Sequence, residues 1–280
     1  MKRIIVCCIL SALALTASAN RLSASKLPSA QEEFYKEVER DMREVADVTS
    51  KLPDQPASRQ WRDEFLQLEA YLRKELPKLK GKTINAVLQR HDLFDEEERH
   101  PATMASQSKV MDVLHAIRPK LLALESFYMD SFSKEGFMAE IAQSTAELTE
   151  VFGGNDLQEV GKQETFEQIS VRLAMLEYAY YHPECHNIGG EWRGLHMLNF
   201  VLSLKTSPPE ADHASLSACR LRSWNIAARA GEFMQRDNLK TATIVIGRDH
   251  IDDLVRLAKL FKVKIVSYDT TSPFCTKKKF

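Results

Sequence analysis

The stretch TATIVIGRDHIDDLVRLAKLFKVKIVSY, residues 241–268, decides the fold. Residues 241–246 form a short apolar run rich in β-branched side chains, and Gly247 ends it. Ile251, Leu254, Leu257 and Leu260 then recur at helical spacing, and a second apolar run follows at 263–268. A buried strand, a helix with one apolar stripe and another strand make a βαβ unit, whose strands run parallel. Two further runs of this kind lie upstream, at 84–88 and 120–124. Short apolar runs set between long helical patterns predict an α/β fold: a mainly parallel central sheet of few strands with abundant flanking helices.

The helical patterns occupy 135–150 and 163–181, with Gly153-Gly154 as the break, and then 190–204. Pro208-Pro209 precedes a long helix from about Ala211 to Gln235. Residues 20–80 read as an N-terminal helical extension. Phe34, Val38, Met42 and Val45 recur at helical spacing, as do Trp61, Phe65, Leu68 and Leu72, with a proline-bounded break at 53–56. These helices carry packing and no recognisable chemistry. The expected organisation is a signal segment at 1–19, the helical region at 20–80, an α/β domain at 81–270 with a helical insertion at about 130–210, and a tail at 271–280. Lys277-Lys278-Lys279 in that tail reads as solvated.

The address is written at the start. Lys2 and Arg3 precede an apolar core at 4–15, and Ala17-Ser18-Ala19 is a small-x-small cleavage site. That is a secretory signal peptide, with a mature chain from Asn20 exported to the periplasm or the medium. Cys7 and Cys8 lie inside the apolar core and no cysteine stands at the cleavage point, which argues against a lipoprotein anchor. No later stretch is apolar for long enough to span a bilayer. Removing Lys2 and Arg3 leaves 36 basic against 39 acidic residues, a net charge of −3. That balance gives no electrostatic footprint for nucleic acid or anionic lipid. Cys185, Cys219 and Cys275 remain after cleavage, too few for a disulfide scaffold. One pair can bridge in an oxidising compartment, and which pair is open.

Five groups of residues are candidates for chemistry. Gly247-Arg248-Asp249-His250 sits where a strand turns into a helix, at the strand end where α/β sheets bind ligands. Glycine there permits a tight turn, and His250 projects into the crevice. Glu125 follows the 120–124 strand, where a buried carboxylate is costly unless paired or working. On the 211–235 helix, Leu216, Cys219, Ile226, Ala230 and Phe233 make an apolar stripe. Arg222, Asn225, Arg229 and Glu232 line up beside it, a pattern suited to a carboxylate or oxyanion partner or to a solvated salt-bridge face. Gln89-Arg90-His91-Asp92 places His91 at another strand end. Lastly, His182, Glu184, Cys185, His186, Glu191 and His196 cluster in sequence. The spacing of His182 and His186 suits a metal on a helix, but Pro183 disfavours the helix, and a polar loop is the simpler reading.

Taken in order, these pieces resemble the broad superfamily of erythromycin esterase-like, ChaN-like and TraB/TIKI proteins. The stretch from Arg222 through Ser223-Trp224-Asn225-Ile226-Ala227-Ala228-Arg229 to Gly247-Arg248-Asp249-His250 and Val266 is similar to that family's Arg-led helix and Gly-x-x-His turn. The segment from Gln107 to Glu125 is similar to its helix leading to a strand with a terminal Glu. The chain departs from the pattern at the first motif. Leu88 replaces the glycine and Gln89 the acid, leaving His91 alone. The resemblance covers about residues 82–128 and 211–268 and leaves 20–80 without a counterpart.

The resemblance implies a metal-assisted hydrolase acting on a peptide or ester. His91, Glu125 and His250 would ligate zinc or manganese, with Glu125, Arg222 and His250 carrying the chemistry and Arg222 meeting the oxyanion. ChaN-like relatives also imply a haem or iron binder, for which His91, His250 and the Tyr178-Ala179-Tyr180-Tyr181 cluster offer groups, though such aromatics also build cores. The degenerate first motif and the helical extension suit a third expectation, a non-catalytic secreted interaction or effector protein. A small-molecule or peptide ligand is the expected partner.

Overall fold

The structure, a computed structural model, describes residues 29–90, 99–153, 173–204 and 211–280, apart from the side chains of Ser29, Arg99 and His100. The expected signal segment, His91 and Asp92, residues 163–172 and Pro208-Pro209 lie outside the described residues. A compact unit runs from Tyr35 to Phe280. The helices are α1 Ser29–Thr49, α2 Pro56–Phe65, α3 Leu68–Glu75, α4 Arg99–Ile117, α5 Lys134–Phe152, α6 Leu173–Tyr181, α7 Arg193–Leu202, α8 Ala211–Arg236 and α9 Ile251–Phe261. The strands are β1 Thr83–Gln89, β2 Leu121–Leu124, β3 His186–Gly189, β4 Thr241–Gly247, β5 Lys264–Asp269 and β6 Thr276–Lys279.

Among the described residues six strands form one sheet, in the order β3-β2-β4-β1-β5-β6. All neighbours pair parallel except β5 and β6. The fold is α/β with a mainly parallel sheet, as the four apolar runs predict. Two strands escape that reading. β3 is His-Asn-Ile-Gly, with one large aliphatic and no apolar run, so the expected polar loop around His186 is in fact a strand. β6 is Thr-Lys-Lys-Lys, and the expected solvated tail pairs with β5 as a fully exposed edge strand.

Register aligns Val87, Val245 and Leu124 across β1, β4 and β2. On that face they pack with Val110, Val113 and Leu114 of α4 and Met175 and Tyr178 of α6. The other face is covered by α8, against β4 and β2, and by α9, against β5. The chain leaves β1 for α4 on one face and crosses to β2. It leaves β4 for α9 on the other face and crosses, in the opposite direction, to β5. Because β1 and β4 are neighbours, the segments leaving them part to opposite faces. This is a switch point, the place beyond whose carboxyl strand ends α/β sheets characteristically bind ligands.

Local sequence explains the helices beside the switch point. α9 is stopped by Lys262 in the left-handed conformation and carries Asp252 and Asp253 in its first turn, where the helix dipole favours anions. Left-handed Asn238 follows α8, and Leu239 N donates back to Met234 O at 2.7 Å. α8 is buried over most of its circumference, more widely than one apolar stripe would give. Leu216, expected in that stripe, instead faces solvent at 59% exposure.

From Tyr35 onward the N-terminal helices belong to the same compact unit as the sheet. Asp41 of α1 is fully buried and receives Arg220 of α8 through Nε at 2.8 Å and Nη2 at 2.9 Å. Glu37 receives both terminal nitrogens of Arg256 on α9. Trp61 is fully buried, and its Nε1 donates to Glu147 Oε2 at 2.9 Å. Cys185, Cys219 and Cys275 are all free thiols. Among the described residues no helix is long and apolar enough to cross a membrane.

Candidate functional site

Glu125 stands one residue past β2, and His250 three residues past the end of β4. The strands are neighbours, so the two side chains meet at the rim: His250 Nε2 lies 3.3 Å from Glu125 Oε1. Glu125 Oε2 accepts the Gly247 N–H at 2.7 Å. Arg222 Nη2 approaches Oε1 at 3.4 Å from α8. Three of the residues singled out from sequence, Glu125, Arg222 and His250, therefore converge, each at least nine-tenths buried. His91 lies outside the described residues. Gly247 has φ −56°, a conformation open to any residue, so the expected tight-turn role is replaced by its N–H contact to Glu125.

Sequence reasoning grouped the second half of the cluster with His182 and His186 and did not connect it to Arg222. Glu191 reaches Arg222 with both oxygens, at 2.7 Å from Nε and 2.8 Å from Nη2. Glu191 Oε1 also accepts the Ser126 N–H at 2.8 Å, and Arg222 Nη2 donates to Ser126 Oγ at 3.2 Å. Ser126, next to Glu125, holds a left-handed φ of 65°, an uncommon state for a non-glycine residue. His196 Nδ1 lies 3.6 Å from Glu191 Oε2. Burial works to raise the Glu191 carboxyl, but the Arg222 charge and the contacts from His196 and Arg222 outweigh it and hold it well below the usual range. Burial likewise opposes the charge on Arg222, and Glu191 and Glu125 more than restore it.

Glu191 is placed by two glycines. A Cβ on Gly189 would strike the Tyr128 and Phe127 backbone, and one on Gly190 would strike the Ile226 side chain of α8. Only bare backbone lets β3 pass beneath α8 and deliver Glu191 to Arg222.

On the far side of His250, Nδ1 lies 2.7 Å from Ser223 Oγ. Ser223 Oγ also lies 2.8 Å from Asp253 Oδ2 and 3.0 Å from Cys219 O. Burial chiefly raises the Asp253 carboxyl, opposed by Ser223 and His250. Burial also raises the Cys219 thiol, against the pull of Arg222.

The remaining candidates separate. Of the polar row on α8, only Arg222 enters the cluster. Asn225 Oδ1 accepts the Trp192 N–H at 2.7 Å, Arg229 Nε donates to Gly189 O at 2.9 Å, and exposed Glu232 accepts the Tyr71 hydroxyl at 2.7 Å. His182 pairs with Glu184 at 2.8 Å, while His186 pairs with Asp237 at 2.5 Å. Of that sequence cluster, Glu191 and His196 join the rim instead. Tyr178 is buried and stacks on His182 at 4.1 Å, whereas Tyr180 and Tyr181 are exposed, so this tyrosine run does not line one pocket.

As a cation site the described donors fall short. Among the described residues no group of three or more His, Cys, Asp or Glu side chains is placed to hold a metal ion. Glu125 and His250 supply two donors, with the Arg222 guanidinium against the shared oxygen. A divalent cation prefers more ligands than these two and no adjacent cation, and the third expected ligand, His91, lies outside the described residues.

No protein-family model matches the chain, and neither a curated protein nor a solved structure does.

Proposed function

We propose that the chain is an exported hydrolase acting on an ester or peptide carbonyl, with Glu125 and His250 as an acid–base pair. The observation that carries this reading is the 3.3 Å approach of His250 Nε2 to Glu125 Oε1 at the carboxyl ends of neighbouring strands, with Arg222 beside the same oxygen. A proton leaving an attacking water is received by this pair and returned to the leaving group. Arg222 Nη1 has no hydrogen-bond partner among the described residues, so it is the guanidinium edge left to meet an oxyanion. Export rests on the Lys2-Arg3 start, the apolar core and Ala17-Ser18-Ala19.

The test uses protein beginning at Asn20, assayed on a panel of nitrophenyl esters and a peptide mixture. His250→Ala and Glu125→Gln are expected to lower kcat/KM by roughly 10²–10⁴-fold, the usual worth of a positioned acid–base group. Hydrolysis that survives His250→Ala at full rate ends the reading.

One observation favours a second reading, a non-catalytic interaction protein. Both oxygens of Glu125 and both of Glu191 are already engaged by protein groups, as they are where a polar cluster serves to fix a fold. Absence of hydrolysis in a folded wild-type protein across the whole panel selects this reading.

A further inference from the structure

We infer that Ser223 and Asp253 are positioning residues that fix the tautomer of His250, holding its hydrogen on Nδ1 and turning Nε2 to Glu125 as the atom that exchanges protons. The inference follows from counting hydrogens. A serine hydroxyl has one hydrogen to give and two lone pairs to receive with. Three groups surround Ser223 Oγ: Asp253 Oδ2 at 2.8 Å, Cys219 O at 3.0 Å and His250 Nδ1 at 2.7 Å. The carbonyl and the ionised carboxylate can only accept. Giving the hydrogen to Nδ1 would leave the serine lone pairs facing both of those acceptors at close range. Giving it toward Asp253 or Cys219 leaves a lone pair for an N–H arriving from Nδ1. The contacts to Nδ1 and to one of the two acceptors are then attractive, whereas the alternative leaves both acceptors facing lone pairs.

The other ring nitrogen follows. With Nδ1 carrying the hydrogen, the neutral ring turns the Nε2 lone pair to Glu125 Oε1; that contact, at 3.3 Å, is longer and weaker than the 2.7 and 2.8 Å contacts at Ser223, and it becomes attractive once a proton sits between the two atoms. A proton that arrives at Nε2 lies between imidazole and carboxylate, and the proton count balances without another donor. The groups facing His250 are Glu125 beyond β2, Ser223 and Cys219 with Arg222 from α8, and Asp253 from the first turn of α9. Asp253 is itself held from behind, because Arg220 and Arg256 bring positive charge to it while bound to Asp41 and Glu37 of α1. The N-terminal helical extension, which the superfamily pattern does not include, thus backs the residue that orients the histidine.

The use of this tautomer in catalysis rests on the hydrolase reading, but its test does not. The measurement is nitrogen NMR of the full mature protein with labelled histidine, with the His250 signals identified by their loss in His250→Ala. Spectra are followed upward in pH until the ring is neutral. The wild type is expected to show Nδ1 protonated and Nε2 bare. Ser223→Ala is expected to move the hydrogen to Nε2 or to mix the two forms. Should Ser223→Ala fail to fold, Asp253→Asn, at a half-buried site, is expected to mix them as well. A neutral wild-type ring with its hydrogen on Nε2 overturns the inference, and so does a tautomer unmoved by both variants. The expected tautomer in a protein that hydrolyses nothing retires the enzymatic reading alone.

Discussion

Arg222 and Glu191 form a two-point pair between α8 and the segment after β3, with both side chains removed from water. A buried pair of this kind is weak evidence for net stability, yet breaking it strands a charge. Arg222→Met and Glu191→Gln are each expected to lower unfolding free energy by about 3–5 kcal/mol, whereas the double change Arg222→Met with Glu191→Leu costs less than either alone. Urea titration of the three variants checks this, and single-variant losses as small as those of an exposed pair would count against the assignment. Because Glu191 titrates below its unfolded range, its contribution is present above about pH 4.3 and is lost as pH falls toward its folded value.

Glu140 predicts the opposite slope. Burial pushes its carboxyl up to about 7, against the hydrogen bonds from the Tyr128 and Met129 backbone. A raised carboxyl binds its proton more tightly in the folded chain than in the unfolded one. Stability is therefore fullest below about pH 4.5 and falls as pH climbs to about 7, by up to roughly 3 kcal/mol at 1.36 kcal/mol per unit. Glu140→Gln is expected to flatten that decline. Denaturant midpoints at half-unit steps between these limits measure it, and a variant whose midpoint tracks wild type throughout sinks the prediction.

The paired glycines separate two kinds of collision. A methyl group on Gly190 meets the Ile226 side chain, which can be trimmed, while one on Gly189 meets backbone, which cannot. Gly190→Ala is expected to cost about 1–3 kcal/mol, partly recovered in combination with Ile226→Val. Gly189→Ala is expected to cost more and to find no recovery from any side-chain change. Melting temperatures of the four proteins decide the matter, and a Gly189→Ala variant that melts with wild type refutes the close approach.

The sheet was legible where burial on both faces wrote itself as an apolar run. Residues 241–246 and 263–268 each became a strand, and the helix between them kept its stripe. β3 was not legible, because four residues with a single isoleucine carry no period. Nor was β6, because an exposed edge strand tolerates lysines that elsewhere signal a tail. In the site, Glu125 and His250 could be found from their position at strand ends and Arg222 from its place on a helix. Glu191 and His196 were grouped with His182 by proximity in sequence, whereas the fold pairs Glu191 with Arg222 across 31 positions and sets His196 beside Glu191. Ser223 and Asp253 left a fainter trace, a hydroxyl next to Arg222 and an acid one helical turn after His250. Nothing in a single sequence says that those two faces meet.

The lysine strand at the sheet's outer margin has a consequence for handling. β5 offers Ile265 and Val266 along the backbone edge that β6 covers. Proteolytic trimming behind Thr276 would strip that cover and present a margin with β-branched Ile265 and Val266 at its centre, able to recruit another copy. Preparations clipped at the carboxyl terminus should then cloud on storage while intact ones stay clear, with the lysines working as a guard rail against fibre growth.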